Sequence, residues 1–283
     1  MLCRPMICTV CSAPSASVTP VSGDLRIATF NMLHGRSLQH LQVEEADLRA
    51  AAAAIDADVV GLQEVDRLQD RSSSLDQTAA VADALGAAHW RFVPALHGTP
   101  GRSPTWTTAT EDDGALTLGP TYGVALVSRL PVREWHVRRF GPAPVAMPLM
   151  VPGVKGLTRI PDEPRVALGA VVDGPNGPIT VVTAHLSFVP GWNVAQLRAL
   201  TRWALALPGP RLIVGDFNLP GAVSRMASRW VQLARVATYP SYRPRVQFDH
   251  VFAHGIAESA VRDVQAMRLP VSDHCALRVD LML

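Results

Sequence analysis

The chain has 283 residues, 48% of them hydrophobic, and a formal net charge of +2. That length and apolar content suit one large globular domain or two small ones. The charge balance excludes the dense basicity that would by itself mark a nucleic-acid binder, and with no uninterrupted apolar run of about 18 residues no membrane-spanning helix is expected.

Three of the four cysteines, Cys3, Cys8 and Cys11, stand in the first dozen residues. No fourth Cys or His lies nearby in sequence to complete a zinc tetrad. The rest of residues 1–22 is mostly Ser, Pro, Thr and Ala, with no charged stretch leading into an apolar one. It reads as a disordered tail or a start placed too early rather than a secretory leader, and a cytoplasmic location is expected. Residues 23–283 are expected to form one monomeric domain, with folding beginning near Asp24.

Along the body, the run LRIATFN at 25–31 and the run DVVGLQ at 58–63 are short apolar stretches that end in polar residues, and both predict buried strands. Helical spacing of Ala, Leu and Glu over 43–55 and 75–85 places a helix after each. Further strands are expected at 122–128, 165–172, 179–185, 211–216, 248–253 and 275–281, with a helix at 193–207. Many strands with interspersed helices imply an α/β sandwich, sheets packed inward and helices outside. Residues 94–120 and 141–164, the latter with six prolines, show no stable apolar period and are expected to be irregular. Lys155, Arg159 and Arg165 stand in and just beyond the second of these segments, and Arg138 and Arg139 precede it. They make the plausible anion-facing rim, a solvated loop being the alternative.

The strand ends share a pattern: an apolar run, then a residue able to bind metal or move a proton. Asn31, Glu64, His185, Asp216 with Asn218, Asp249 with His250, and Asp273 with His274 all fit it. Each alone has a plain explanation, since Asn and Asp end strands and start turns routinely. Six together, at the mouth where α/β proteins bind ligands, suggest a hard-oxygen metal site with proton-transfer groups beside it.

The motifs TFNMLHG, GLQEVD, YGVALVSRLP, VTAHLS, VGDFN, FDHVF and SDH, in that order, resemble the endonuclease/exonuclease/phosphatase superfamily over nearly the whole chain from Leu25. The resemblance implies a four-layer α/β sandwich of two mixed β-sheets packed face to face with helices outside. It also implies hydrolysis of phosphodiester bonds with magnesium, manganese being the other candidate. Glu64 is then the principal metal ligand, with Asn31 and Asp273 completing or supporting its shell. His274 paired with Asp249 serves the attacking water or the developing charge on phosphate. Asp216 is the rival for activating water, with Asn218 holding the phosphate, and alternation along an extended chain would bring both to one face. His185 matches a position that is histidine in some branches of the family, and protonates the leaving oxygen or binds phosphate. A second acid expected just after Asn31 is missing, and His34 is its nearest substitute. By strand alternation Asp249 should face inward and His250 away. Nucleic acid is the favoured substrate, with Arg138, Arg139 and Arg159 as binding residues. A small-molecule or lipid phosphoesterase is the alternative, and a non-catalytic phosphate-binding protein a third reading.

Overall fold

The computed structural model describes residues 23–101, 106–110, 119–150 and 156–283. The cysteines near the start and the tail reading of residues 1–22 lie outside them. In chain order the first strands are β1 (Asp24–Asn31), β2 (Val59–Arg67), β3 (His89–Gly98), β4 (Trp106–Thr108), β5 (Thr121–Ser128), β6 (Val132–Phe140), β7 (Ala146–Met150) and β8 (Leu157–Pro161). The rest are β9 (Arg165–Gly174), β10 (Gly177–His185), β11 (Arg211–Asp216), β12 (Val231–Gln232), β13 (Asp249–His254), β14 (Val261–Met267) and β15 (Ala276–Met282). The helices are α1 (Glu45–Ile55), α2 (Gln77–Leu85), α3 (Trp192–Ala204) and α4 (Gly221–Ser228). Among the described residues no helix is long and apolar enough to cross a membrane.

Two sheets carry the fold. One runs β14-β15-β1-β2-β5-β3-β4, the other β12-β13-β11-β10-β9-β6, and β7 pairs with β8 as a separate hairpin. Both large sheets are mixed: β1 runs parallel to β2 and β10 parallel to β11, with antiparallel neighbours on either side. The period-2 alternation of each strand sorts its side chains into layers. Leu25 and Ile27 of β1 join Leu168, Val181 and Val214 in the core between the sheets. Ala28 and Phe30, on the other face of β1, pack against Leu48 and Ile55 of α1 and Val81 and Leu85 of α2. On the far side Leu197 and Leu200 of α3 cover Ile213 of β11 and Phe252 of β13. The result is the expected sandwich of helix, sheet, sheet and helix.

The sheets approach most closely beneath the ends of the parallel strands. A Cβ at Gly61 would stand 2.6 Å from Thr183 Oγ1 and 2.7 Å from Val214 Cγ2. Beside it Gln63 Nε2 donates to Thr183 Oγ1 across the gap at 2.8 Å, and Thr29 Oγ1 donates to Gln63 Oε1 at 3.2 Å. These buried amide and hydroxyl groups satisfy one another, which removes the penalty of enclosing them.

The expectation of irregular chain over 141–164 is corrected by the hairpin β7 and β8. Strands β3, β6 and β14 and helix α4 stand where no element was expected.

Candidate active site

The parallel pairs end together, and that brings the strand-end residues to one mouth. His185 pairs in register with Asp216, and Asp216 with Asp249, so the ends of β10 and β11 and the start of β13 lie level. On the facing sheet Asn31 lies level with Gln63, and Glu64 follows it. The pairing of β2 with β5 slips between Leu62 and Val65, and Glu64 sits in that slip with φ +54°. A bulge of this kind re-aims one side chain at the expense of local strain. The loop Ser272, Asp273, His274 is fastened by Ser272, whose Oγ donates to the Asn31 carbonyl at 2.6 Å and accepts from the His274 amide at 3.0 Å.

These residues border a cleft of about 470 Å³ that Glu64, His185, Asp216, Asn218, Asp273 and His274 all line. Asn31 donates its amide nitrogen to Glu64 Oε1 at 3.0 Å and to Asp216 Oδ2 at 2.9 Å, while its carbonyl oxygen accepts from the Leu33 amide at 3.1 Å. Expected as part of the metal shell, Asn31 stands here as the group that orients two carboxylates. Burial pushes the Glu64 carboxyl up to about 7, Asn31 opposes this, and the Asp273 charge adds to it. A buried carboxyl whose proton affinity is raised by a neighbouring carboxylate suits a hard dication, which oxygen ligands hold and which would relieve the repulsion.

His274 Nδ1 lies 2.8 Å from Asp249 Oδ2 and its Nε2 lies 3.7 Å from Asp216 Oδ2. Burial acts to lower its pKa, but the Asp249 and Asp216 charges outweigh that and raise it to about 10. The imidazole is therefore charged at neutral pH. Asp216, Asp249 and His274 offer ligand atoms within 4.8 Å of one another, with the His274 ring held at Nδ1 by Asp249. The oxygens of Glu64 and Asp273 are the better fit for an ion.

Asp216 is pushed up to about 6, first by burial, with His274 lowering it and Asp249 raising it. Its Oδ1 accepts from the Asn218 amide at 2.9 Å. Asn218 has φ +50°, so the expected extended alternation is replaced by a left-handed turn, which Asn tolerates. Phe217 between them turns into the outer core, stacked on His250 and Phe252. Asn218 Nδ2 reaches the Leu186 carbonyl at 3.0 Å and lies 3.3 Å from His185 Nε2. Burial and the Arg165 and His274 charges hold His185 well below its usual pKa, so it is neutral. Arg165 Nη1 lies 3.4 Å from its Nδ1 and Asn218 Nδ2 3.3 Å from its Nε2; both are donors, and a neutral ring accepts from one of them at a time. Asp249 faces His274, whereas His250 lies on the opposite face and its Nε2 meets the Leu219 carbonyl at 2.9 Å. His34 lines the cleft too, lowered to about 3 by burial and by Arg71 and Arg36.

Of the expected rim residues Arg165 lines the cleft, Lys155 lies outside the described residues, and the other three stand elsewhere. Arg138 is exposed on β6, Arg139 of the same strand donates to the Pro94 carbonyl at 2.7 Å, and Arg159 is exposed on β8. None lines the cleft. The arginines that do are Arg71 and Arg165, each fixed by an acid. Asp66 takes Arg71 Nε at 2.8 Å and Nη2 at 2.7 Å, and Asp162 takes Arg165 Nη2 at 3.2 Å. Glu163, Tyr122 and Tyr239 complete the walls without having been singled out. A clue to Arg71 was the carboxylate five residues before it, which carries no periodic signal.

The Endonuclease/Exonuclease/phosphatase family model matches residues 28–274. No curated protein sequence matches the chain. Solved structures are similar in fold: an endonuclease/exonuclease/phosphatase from Beutenbergia cavernae is 23% identical with a TM-score of 0.62, over 92% of this chain and 72% of that one. One from Bacteroides vulgatus is 18% identical with a TM-score of 0.61, over 92% and 99%. The Bacteroides thetaiotaomicron mannosyl-6-phosphatase Bt3783 is 14% identical with a TM-score of 0.53, over 92% and 100%. With its motifs in family order, its two-sheet sandwich and a model match from the first strand to His274, the chain belongs to the endonuclease/exonuclease/phosphatase family.

Proposed function

We propose that the chain hydrolyses a compact phosphoester with the help of magnesium or manganese. The observation that carries this reading is the division of labour in the cleft: Glu64 and Asp273 both line it, with the Asp273 charge acting on Glu64, and a charged His274 stands beside Asp216. A divalent cation held by Glu64 and Asp273 supplies Lewis acidity at the phosphoryl oxygen.

The chain's own residues do the rest. Asn31 keeps the Glu64 and Asp216 carboxylates turned to the cleft. The imidazolium of His274, oriented by Asp249, lowers the energy of negative charge that builds on phosphate. Because His274 already holds its proton, Asp216 is the group left to take one from the attacking water, and its pKa of about 6 suits a base near neutrality. Neutral His185 has no mobile proton to give, and with Asn218 beside it lines the part of the cleft where phosphate oxygens would bind. The leaving oxygen then draws its proton from solvent or from His274.

Nucleic-acid phosphodiester cleavage is the second reading, and exposed Arg138 and Arg159 favour it, since such cations grip a polyanion. Purified protein should be assayed with magnesium and with manganese on chromogenic phosphate mono- and diesters, single- and double-stranded DNA, and RNA. Loss of activity in chelator and in Glu64→Ala is expected. Activity confined to nucleic acid, and lost on neutralising Arg138 and Arg159, would favour the second reading. Activity indifferent to metal would overturn the first.

A further inference from the structure

The lining of the cleft holds a carboxylate that the hydrolytic reading does not use. Glu163 lines the cleft, its side chain is only 17% exposed, and its nearest ionic partner is Arg165 Nη1 at 4.0 Å, beyond hydrogen-bond reach. Among the described residues it makes no hydrogen bond. Its neighbour Asp162 is fully engaged, taking the Ala143 amide at 2.7 Å on Oδ2 and Arg165 on Oδ1. A largely buried carboxylate with unfilled acceptor sites awaits donors from a ligand.

Arg71 lines the same cleft. Asp66, itself wholly buried, takes Arg71 Nε and Nη2, and Ser72 Oγ donates to the same carboxylate at 3.0 Å. That leaves Nη1 without a protein acceptor among the described residues. The guanidinium also lies 5.7 Å over the Tyr122 ring, so its position is fixed on two sides. The two groups sense each other's charge: Arg71 acts to lower the Glu163 pKa.

We infer that Glu163 and Arg71 form a subsite for the hydroxyl groups of a polyhydroxylic alcohol esterified to the phosphate, a reading that rests on the proposed phosphoester hydrolysis. A hydroxyl is both donor and acceptor, so one carboxylate and one guanidinium answer neighbouring hydroxyls together. The competing ligands fit less well. A second cation would sit between Arg71 and Arg165, and a second anionic group would face Glu163 with little water to screen it. An alkyl alcohol would leave Glu163 unfilled, and a site built to bond a hydroxyl discriminates strongly against the analogue that lacks it.

The test compares phosphomonoesters that differ in hydroxyls alone: glycerol 3-phosphate against n-propyl phosphate, and glucose 6-phosphate against n-hexyl phosphate. Rates are measured on the wild-type chain with magnesium or manganese. Binding is measured by calorimetry on Glu64→Gln, which slows turnover, and on the same variant carrying Glu163→Leu or Glu163→Gln. Melting curves check that each variant is folded. Expected is a preference for at least one polyol ester over its alkyl partner on the order of tenfold or more in Kd, and larger in kcat/KM. Glu163→Leu should collapse that ratio, and Glu163→Gln should retain part of it, since its amide oxygen still accepts. Equal binding of both members in both pairs, or a ratio untouched by Glu163→Leu, overturns the subsite. Hydrolysis without the preference sinks the subsite and leaves the phosphoesterase standing; the preference in binding without hydrolysis of any ester does the reverse.

Discussion

Glu64 carries two burdens at once, a left-handed backbone inside a strand and a carboxylate shut away from water. Strain of the first kind costs on the order of 1–3 kcal/mol. Glu64→Gly should therefore melt higher than the wild type in chelator, while losing all metal-dependent activity; a lower melting temperature would show that Glu64 supports the fold. Glu64→Gln and His274→Ala should fail differently. The first loses affinity for the cation and should partly recover at high magnesium or manganese. The second loses charge at the reacting phosphate, so a deficit on the order of a hundredfold or more in kcat should persist at any metal concentration. Asp249→Asn should follow His274→Ala in milder form. Rate against metal concentration for the three variants separates these outcomes, and recovery of His274→Ala alone would reverse the two roles.

At the scale of elements, the hairpin of β7 and β8 is held to the sandwich at its base by Asp162, which bonds Ala143 before the hairpin and Arg165 after it. Asp162→Ala leaves a buried guanidinium whose remaining carboxylate is the distant Glu163, and should destabilise the chain by roughly 3 kcal/mol in denaturant melts. A change under a third of that would mean the pair is solvated. The same scale explains what could be read from the sequence. Strands β1, β2, β9, β10, β11 and β13 are buried on both faces, so each appears as an apolar run with a functional residue at its end. Strands β6 and β14 are sheet edges, where polar side chains face water and erase the run: β6 reads VREWHVRRF. Strand β3 is interrupted by Pro94, at a shift in its register with β5. The hairpin was hidden by its prolines, which a two-stranded ribbon tolerates because half its backbone donors face away from the partner. Residues such as His185 and Asp216 were legible because strand ends deliver them. Arg71 and Glu163 come from connections, and their meaning lies in the groups they meet across space.

For the whole molecule, acid sets buried groups against each other: the raised carboxyls of Glu64 and Asp216 favour the fold as pH falls, and the buried histidines weaken it. His250 is buried between Phe217 and Phe252 and lowered to about 4, chiefly by burial. Its folded pKa lies below the unfolded value, so the neutral ring contributes no penalty above pH 6.5, and stability is lost as pH falls from there through 4. The loss amounts to about 3 kcal/mol from this residue, and His34, lowered to about 3, adds to it. His274 works the other way: its folded pKa is raised to about 10, so its contribution is full below pH 6.5 and drains away as pH rises through 10. His250→Gln should flatten the acid limb of a melting temperature against pH profile and leave the alkaline limb alone. An acid limb of unchanged steepness would clear His250.

The two leaves of the sandwich divide the chemistry between them. Asn31 and Glu64 rise from one sheet, while His185, Asp216 and Asp249 rise from the other. Asp273 and His274, just ahead of β15, belong with the first. Asn31 ties the two leaves directly, bonding Glu64 beside it and Asp216 across the cleft. The spacing is also set a layer below, where Gly61 admits Thr183 and Val214 into the room its missing side chain leaves, and where Gln63 spans the gap. A residue with nothing to offer a substrate serves as a gauge block of the site, and its bareness helps fix how far apart the two halves of the cleft stand.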